Sequence, residues 1–349
     1  MTPNPRIVAI TPTKKKSGST YYSKKLYGET VDIVSTDEPF RIVLASCLRS
    51  SVDVFHLQLE YRTFGNMTPF YASILSLVIA MRRKKLVITL HGVITPWSPN
   101  FVVYGAFFIP LKLASLLGAV IVVHSSAMQY ALRRYYHLGS TIIPHGTDSR
   151  PWVDTVGNEK SSLLFFGFKR PSKGIGILIS AYERVRMRRP LKLLIAGTFA
   201  REDEERSIKE EKTVDGVTVI NRFISEKEKE EILSGVFAIV LPYTDSYVEV
   251  SGVVHDVARY GVPIICSDTP RFSELEDSVN CLKVVPNDAG RLAEAIERLC
   301  KDKELYSTLS SNIALLPEMW SWEVVKEMHT VLYERILNDS VSKLEGKDQ

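Results

Sequence analysis

The chain has 349 residues, 45% hydrophobic and 24% charged; this is too long for one ordinary core and excludes a disordered polymer, so two folded domains are expected. Cys47, Cys266, Cys281 and Cys300 are scattered without a CxxC pair, which excludes a disulfide framework or zinc ribbon and fits a reducing, cytoplasmic compartment. The net charge of +4 hides an asymmetry: residues 1–150 carry 17 Lys+Arg against 7 Asp+Glu and the rest 27 against 33, so the first half is expected to meet something anionic.

In chain order, no leader peptide is expected from residues 1–12, which lack a charged start and apolar stretch. Short runs rich in Val and Ile then recur between helical-period stretches. In the first half they are Arg6–Ile10, Val31–Ile33, Arg41–Ala45, Val52–His56, Lys85–Leu90, Val120–His124 and Thr141–Pro144. Phe101–Val123 is long enough to span a bilayer, but Pro110, Lys112 and two glycines interrupt it, so a buried helix followed by a strand is expected. A polar interval, Ser149–Lys160, reads as the linker between domains 1–150 and 151–323. Further runs follow at Ser162–Phe166, Lys192–Ala196, Val217–Ile220, Ala238–Leu241, Pro263–Ser267 and Cys281–Val284, before an amphipathic last helix near Val324–Leu337. Continuous apolar strands alternating with helices predict two doubly wound α/β domains in tandem, each with a parallel sheet that binds ligands beyond its strands' carboxyl ends. The first strand runs into Lys14–Lys16 rather than a GxGxxG turn, which counts against a dinucleotide-dependent dehydrogenase.

The chemistry concentrates in two stretches. In Phe166-Gly167-Phe168-Lys169-Arg170-Pro171-Ser172-Lys173-Gly174 a strand ends on glycine, a basic loop follows, and Lys-Gly opens a helix. Glycine admits an anion close to backbone, the cations neutralise it, and the helix start adds positive potential. In Glu249-Val250-Ser251-Gly252-Val253-Val254-His255-Asp256, Ser251, Gly252 and Val253 precede a helical run and offer N–H groups to an anion, while Glu249 and Asp256 are acceptors for sugar or ribose hydroxyls.

Together these stretches resemble the donor half of glycosyltransferase family 4, retaining enzymes of the GT-B fold. The resemblance extends to Leu193-Leu194-Ile195-Ala196-Gly197, to Gly261-Val262-Pro263, to Ser321-Trp322-Glu323, and to Ile143-Pro144-His145-Gly146-Thr147-Asp148 at the domain junction. It implies two doubly wound Rossmann-like domains facing across a cleft: an acceptor domain over 1–150, onto which the helix near 324–337 packs back, and a donor domain over 151–323. It also implies that Lys173, with Lys169 or Arg170, holds the diphosphate of the donor and stabilises it as it departs. In the family a second carboxylate lies eight residues after the first; here Val248 lies eight before Asp256 and Glu249 is one position off, which leaves the donor sugar open.

In the first half, His91 in Thr89-Leu90-His91-Gly92 resembles the family's strand-end histidine that reaches the transferred sugar, and Gly18 matches the glycine loop near the donor phosphate. Gln58 and Glu60 end a strand and are candidates for the acceptor, Glu60 being equally a helix-cap or ion-pair residue. The resemblance implies no cofactor and no metal, the nucleotide-sugar (UDP- or GDP-linked) being a substrate, and no Asp-x-Asp motif suggests a cation. Arg82-Arg83-Lys84-Lys85, Arg133-Arg134 and the early lysines suggest a lipid-linked or membrane-proximal acceptor at the cytoplasmic face of an anionic membrane. A soluble sugar or sugar-phosphate acceptor, and a nucleotide-sugar-binding protein impaired in turnover, are the alternatives. Nucleic acid is not expected, because the basic residues are not interleaved with aromatics in any recognised module.

Overall fold

A computed structural model describes residues 5–14, 18–49, 51–96, 101–149, 160–198 and 214–345. All of the expected linker Ser149–Lys160 but its two end residues lies outside the described residues. The chain forms two compact units: Met1–Gly146 with Tyr247–Val250 and Trp320–Gln349, and Thr147–Ser246 with Ser251–Met319. Each is built on a six-stranded parallel sheet, the two α/β layers that the recurring apolar runs require.

In the first unit the strands are β1 (Ile7–Thr11), β2 (Asp32–Ser35), β3 (Val54–Leu59), β4 (Lys85–Leu90), β5 (Val120–Val123) and β6 (Thr141–Ile142), in the order β2-β1-β3-β4-β5-β6. One face is covered by α1 (Gly18–Tyr27) and the C-terminal helix Trp322–Glu345, whose Trp322, Val325, Leu332 and Tyr333 pack with Tyr22, Leu26, Ala9, Val54, Val87 and Val122. The other is covered by α2 (Phe40–Ser46), α3 (Thr68–Met81), α4 (Phe101–Leu116), α5 (Ser126–Ala131) and a π turn over Leu132–Tyr136.

Arg41–Ala45 is not a strand but lies within α2. A five-residue apolar run carries no usable period, and Pro39 immediately before the helix favours a helix start. Phe101–Val123 divides into α4 and β5, and among the described residues no helix is long and apolar enough to cross a membrane.

The alternation of strand side chains decides what the first unit can do. In β3, Phe55, Leu57 and Leu59 join the core beneath α2–α5, so Val54, His56 and Gln58 face α1 and the C-terminal helix. The same parity puts Thr89, His91 and His124 on that side. One face of the sheet is apolar along its central strands, and the other turns polar toward its carboxyl edge.

The second unit contains β7 (Ser162–Phe166), β8 (Lys192–Gly197), β9 (Val217–Asn221), β10 (Val236–Leu241), β11 (Ile264–Ser267) and β12 (Leu282–Val284), ordered β12-β11-β10-β7-β8-β9. Its helices are α6 (Ile175–Arg186), α7 (Glu226–Ser234), α8 (Gly252–Val257), α9 (Ala289–Lys301) and α10 (Lys303–Trp320). Ser225 and Glu228 close a capping box on α7, satisfying two otherwise orphaned amides. Winding outward from β7 to β9 and then from β10 to β12 leaves β7 beside β10, and the loops after these two strands flank the crevice where such sheets take ligands.

Candidate active site

At the carboxyl edge of the second sheet, three glycines have no substitute. Gly167, Gly174 and Gly197 all have positive φ, at 119°, 68° and 137°. A Cβ on Gly174 would come within 1.9 Å of the Pro242 carbonyl oxygen, and one on Gly197 within 1.9 Å of that of Gly167. Backbone bonds lock the same loops together: Gly167 N–H to Ala196 O at 3.0 Å, Lys169 N–H to Thr198 O at 2.8 Å and Thr244 N–H to Ser172 O at 2.9 Å. The result is a close-packed backbone floor between the exits of β7, β8 and β10.

The side chains on this floor are not equivalent. Lys169 is fully buried and its Nζ donates to the Ile220 carbonyl at 3.1 Å, which ties the loop to β9. Arg170 is exposed, so of the two alternatives it is the one whose charge faces solvent. Lys173 lies in the 3-10 turn Pro171–Lys173, its Nζ 3.6 Å from the centre of the Tyr243 ring, where the ring face holds the ammonium. Arg271 lies 5.6 Å from the same ring and forms a forked pair with Asp245 at 2.7 and 3.1 Å. Tyr243, Arg271 and Asp245 are absent from the site residues picked out by sequence; no local spacing links them to Lys173, and the exits of β10 and β11 bring them together.

Val253 packs on Gly167, where a Cβ would meet its Cγ2 at 3.0 Å. This places Ser251, Gly252 and Val253 beside the glycine floor. Ser251 is buried, and its hydroxyl has no hydrogen-bond partner among the described residues; an uncompensated buried hydroxyl is costly and suits a site completed by a ligand. Asp256 is held by Lys229, Oδ1 to Nζ at 2.5 Å, and Lys229 also bonds Glu226 at 2.9 Å. Burial pushes the Asp256 carboxyl up, against the pull of the Lys229 ammonium. Its carboxylate is therefore fixed in place, with Oδ2 left to accept.

Glu249 is a residue of the first unit. Tyr247–Val250 belongs to the first unit, where Val248 O accepts from Val93 N–H at 2.8 Å and Glu249 Oε2 lies 3.3 Å from where a Gly92 Cβ would stand. The carboxylate therefore sits beside the residue that follows His91.

At the edge of the first sheet, His91 is partly buried; its Nε2 is 2.8 Å from Gln58 Oε1 and its Nδ1 3.4 Å from His124 Nε2. His124 Nδ1 faces the Ile143 carbonyl at 2.9 Å, so a neutral His124 carries its proton there. With the Gln58 oxygen toward it, a neutral His91 carries its proton on Nε2. Gln58 is fully buried and its Nε2 donates to the Tyr27 hydroxyl at 2.5 Å. Its side-chain amide is thus held between His91 and Tyr27. Glu60 stays partly exposed, its N–H bonded to Thr63 Oγ1 at 2.7 Å. Gly18 opens α1 with free space where a Cβ would be; Lys15–Ser17 of the same loop lie outside the described residues.

The cluster is larger than the candidates named from sequence. Tyr22 is buried among His91, His124, His145 and Trp322, with ring centres 5.0–5.3 Å apart. His56 bonds Tyr333 at 2.6 Å and Thr89 at 2.7 Å. Burial lowers the basicity of His91, drives His56 well below the usual imidazole range, and brings His329 down to about 4. The parity of polar residues within apolar strands was the available signal. Among the described residues no group of three or more His, Cys, Asp or Glu is placed to hold a metal ion.

Comparison with known proteins agrees with this architecture. The chain has the two-unit α/β fold of the GT-B glycosyltransferase structures. It superposes on the Anabaena protein Alr3699/HepE in complex with UDP with a TM-score of 0.74, covering 95% of this chain and 100% of that one at 16% identity. It superposes on sucrose-phosphate synthase from Thermosynechococcus elongatus with a TM-score of 0.72, covering 95% and 99% at 17% identity. Residues 160–302, which hold the glycine floor and Lys173, match the family described as Glycosyl transferases group 1. Over 176 residues the chain is 30% identical to an alpha-D-kanosaminyltransferase from Streptomyces kanamyceticus, spanning 50% of this chain and 42% of that protein's length.

Proposed function

We propose that this protein is a retaining glycosyltransferase that takes a sugar from a UDP- or GDP-linked donor and passes it to an acceptor held by the first unit. The observation that carries the reading is the backbone floor of Gly167, Gly174 and Gly197 with Lys173 fixed over Tyr243. Such a surface admits a diphosphate close to main chain, and a preorganised cation stabilises it as it leaves. The segment that builds it is the one matched to Glycosyl transferases group 1, and UDP in HepE supports a uridine donor. The buried Ser251 hydroxyl and the anchored Asp256 supply further polar contacts on the same edge.

On the acceptor side, His91, oriented by Gln58, and Glu249 serve the transferred sugar. Retention follows the resemblance in the glycine-lysine and Ser-Gly motifs, and no metal takes part. The excess of basic residues in the first half favours a lipid-linked or membrane-proximal acceptor over a soluble one. The position of Glu249, one residue from the expected spacing, keeps a binding protein without turnover as the second reading.

The test is a thermal-shift panel of UDP-, GDP-, ADP- and dTDP-sugars with a chelator present, followed by an assay of donor hydrolysis. A donor at 100 times its dissociation constant adds about 2.7 kcal/mol of stability. A shift with one nucleotide and slow hydrolysis of its sugar supports a transferase; a shift without hydrolysis or transfer favours the binding protein; no shift with any donor overturns both.

A further inference from the structure

From Tyr61 to Thr147 the chain contains no aspartate or glutamate, although these make up 40 of the 349 residues. The same stretch carries eight lysines and arginines and folds as α3, α4, α5 and the π turn with the strands between them. An interval that excludes one sign of charge across three successive helices, α3, α4 and α5, is not explained by packing, since carboxylates sit comfortably on exposed helix faces.

The helices are unusual in a second way. The inner side of α3 buries Ala72, Leu75 and Ile79, yet its outer side is also apolar: Phe70, Leu77 and Met81 are 57%, 46% and 73% exposed, and no charged residue interrupts Thr68–Met81. On the neighbouring α4, Ile109 and Leu116 are 68% and 84% exposed. The spacings 70, 77, 81 and 109, 116 each lie along one helix face. A helix that is hydrophobic all round belongs in an apolar environment on both sides, and here one side meets the sheet and the other meets no described part of the protein.

A basic rim borders this face. Each helix returns the chain from the carboxyl to the amino edge of a parallel sheet, so the C-terminal ends lie along one side. Arg82 and Arg83 follow α3, both exposed, with Arg83 at φ 54°, a conformation that favours glycine. Arg133 and Arg134 are exposed on the π turn, which is tied to α4 by Lys112 Nζ to His137 O at 3.1 Å and by the Phe108–Tyr136 stack at 5.8 Å.

We propose that the outer face of α3 and α4, with this arginine rim, docks on an anionic phospholipid bilayer. The apolar side chains enter the head-group boundary and the arginines take lipid phosphates. A second copy fits poorly, because a two-fold contact would set the same arginines against one another with no carboxylate on the stretch to meet them. A nucleic acid fits poorly because, Phe70 aside, the face offers aliphatic and thioether side chains rather than a run of aromatic platforms. The inference deepens the membrane-proximal reading of the acceptor, but its test does not depend on turnover.

The full-length protein is sedimented with vesicles of equal parts phosphatidylcholine and phosphatidylglycerol, and with phosphatidylcholine alone. Binding to the mixed vesicles at least about tenfold tighter than to phosphatidylcholine is expected, with loss of about fivefold per arginine in Arg82→Ser and Arg83→Ser. Leu77→Glu with Met81→Glu abolishes sedimentation while the thermal transition stays, since both side chains are exposed. No sedimentation of the unaltered protein, or equal binding by all variants, overturns the proposal, as does a dimer that dissociates in Leu77→Glu/Met81→Glu without any vesicle binding. The donor-induced thermal shift, measured on the same preparations, separates the two claims: docking fails alone if the shift remains, and the donor reading fails alone if docking persists without a shift.

Discussion

At the carboxyl edge of the second sheet the candidate surface is mostly backbone, with Gly167, Gly174 and Gly197 packed against carbonyl oxygens and a lysine held over a tyrosine ring. At the corresponding edge of the first sheet it is made of side chains, where His91, Gln58, His124 and His56 bond one another and their neighbours. The difference teaches how each edge fails. A backbone floor is insensitive to pH but intolerant of a single methyl group. A histidine network tolerates changes in shape but depends on which rings carry protons.

Acid should break the comparison most strongly. His56 and His329 are buried and their folded basicity is lowered by desolvation, His329 to about 4. Their contribution is fully present above the unfolded value of about 6.5 and is lost as pH falls through the window below it, at roughly 1.4 kcal/mol per pH unit for each ring. Six of the seven histidines lie in the first unit and only His255 in the second. Urea unfolding between pH 7 and pH 5, followed by limited proteolysis, should show the first unit opening at lower denaturant in acid while the second changes little; parallel loss in both would remove the distinction.

Gly174→Ala should act in the opposite sense. The left-handed backbone alone costs about 1–2 kcal/mol, and contact with the Pro242 carbonyl adds to it, so a loss of at least about 2 kcal/mol is expected in the second unit at every pH. A stability indistinguishable from the parent would show that the floor is not close-packed.

Lys173→Ala gives the smallest structural effect. Its ammonium lies over Tyr243 rather than in the core, so circular dichroism and the melting transition should stay unchanged. Donor affinity should fall by about 10–100-fold, the 1.5–3 kcal/mol of hydrogen bonds to a charged group. Unaltered donor affinity would detach the basic loop from the diphosphate.

The two edges were also unequally legible in the sequence. The glycine-lysine turn could be read directly because its constraint is local: a strand, a glycine, cations and a helix start follow in order. The choice between Lys169 and Arg170 could not, since the direction of a loop side chain depends on β9, some fifty residues away. Tyr243 and Arg271 carried no signal of their own. In the first sheet the runs Val52–His56 and Lys85–Leu90 were visible as buried strands, but reading them as continuous concealed the alternation that sets His56, Gln58, Thr89 and His91 on one face. Arg41–Ala45 shows the reverse error, an apolar run too short to distinguish helix from strand. The fold, set by many such runs together, survived these individual ambiguities; the directions of single side chains at the site are set by tertiary neighbours that no run reveals.

The division of the chain has a consequence for biosynthesis. The sheet of the first unit is translated before the second unit, but one of its faces is covered by Trp322, Val325, Leu332 and Tyr333, which leave the ribosome only after it. Until then Ala9, Val54, Val87 and Val122 have lost part of the apolar cover they require. The second unit, all of whose residues lie between these two parts of the first, can complete its own core sooner. The nascent chain thus closes its middle before its beginning, against the usual order of domains emerging one after another, and a stalled or truncated product would expose the older of the two sheets.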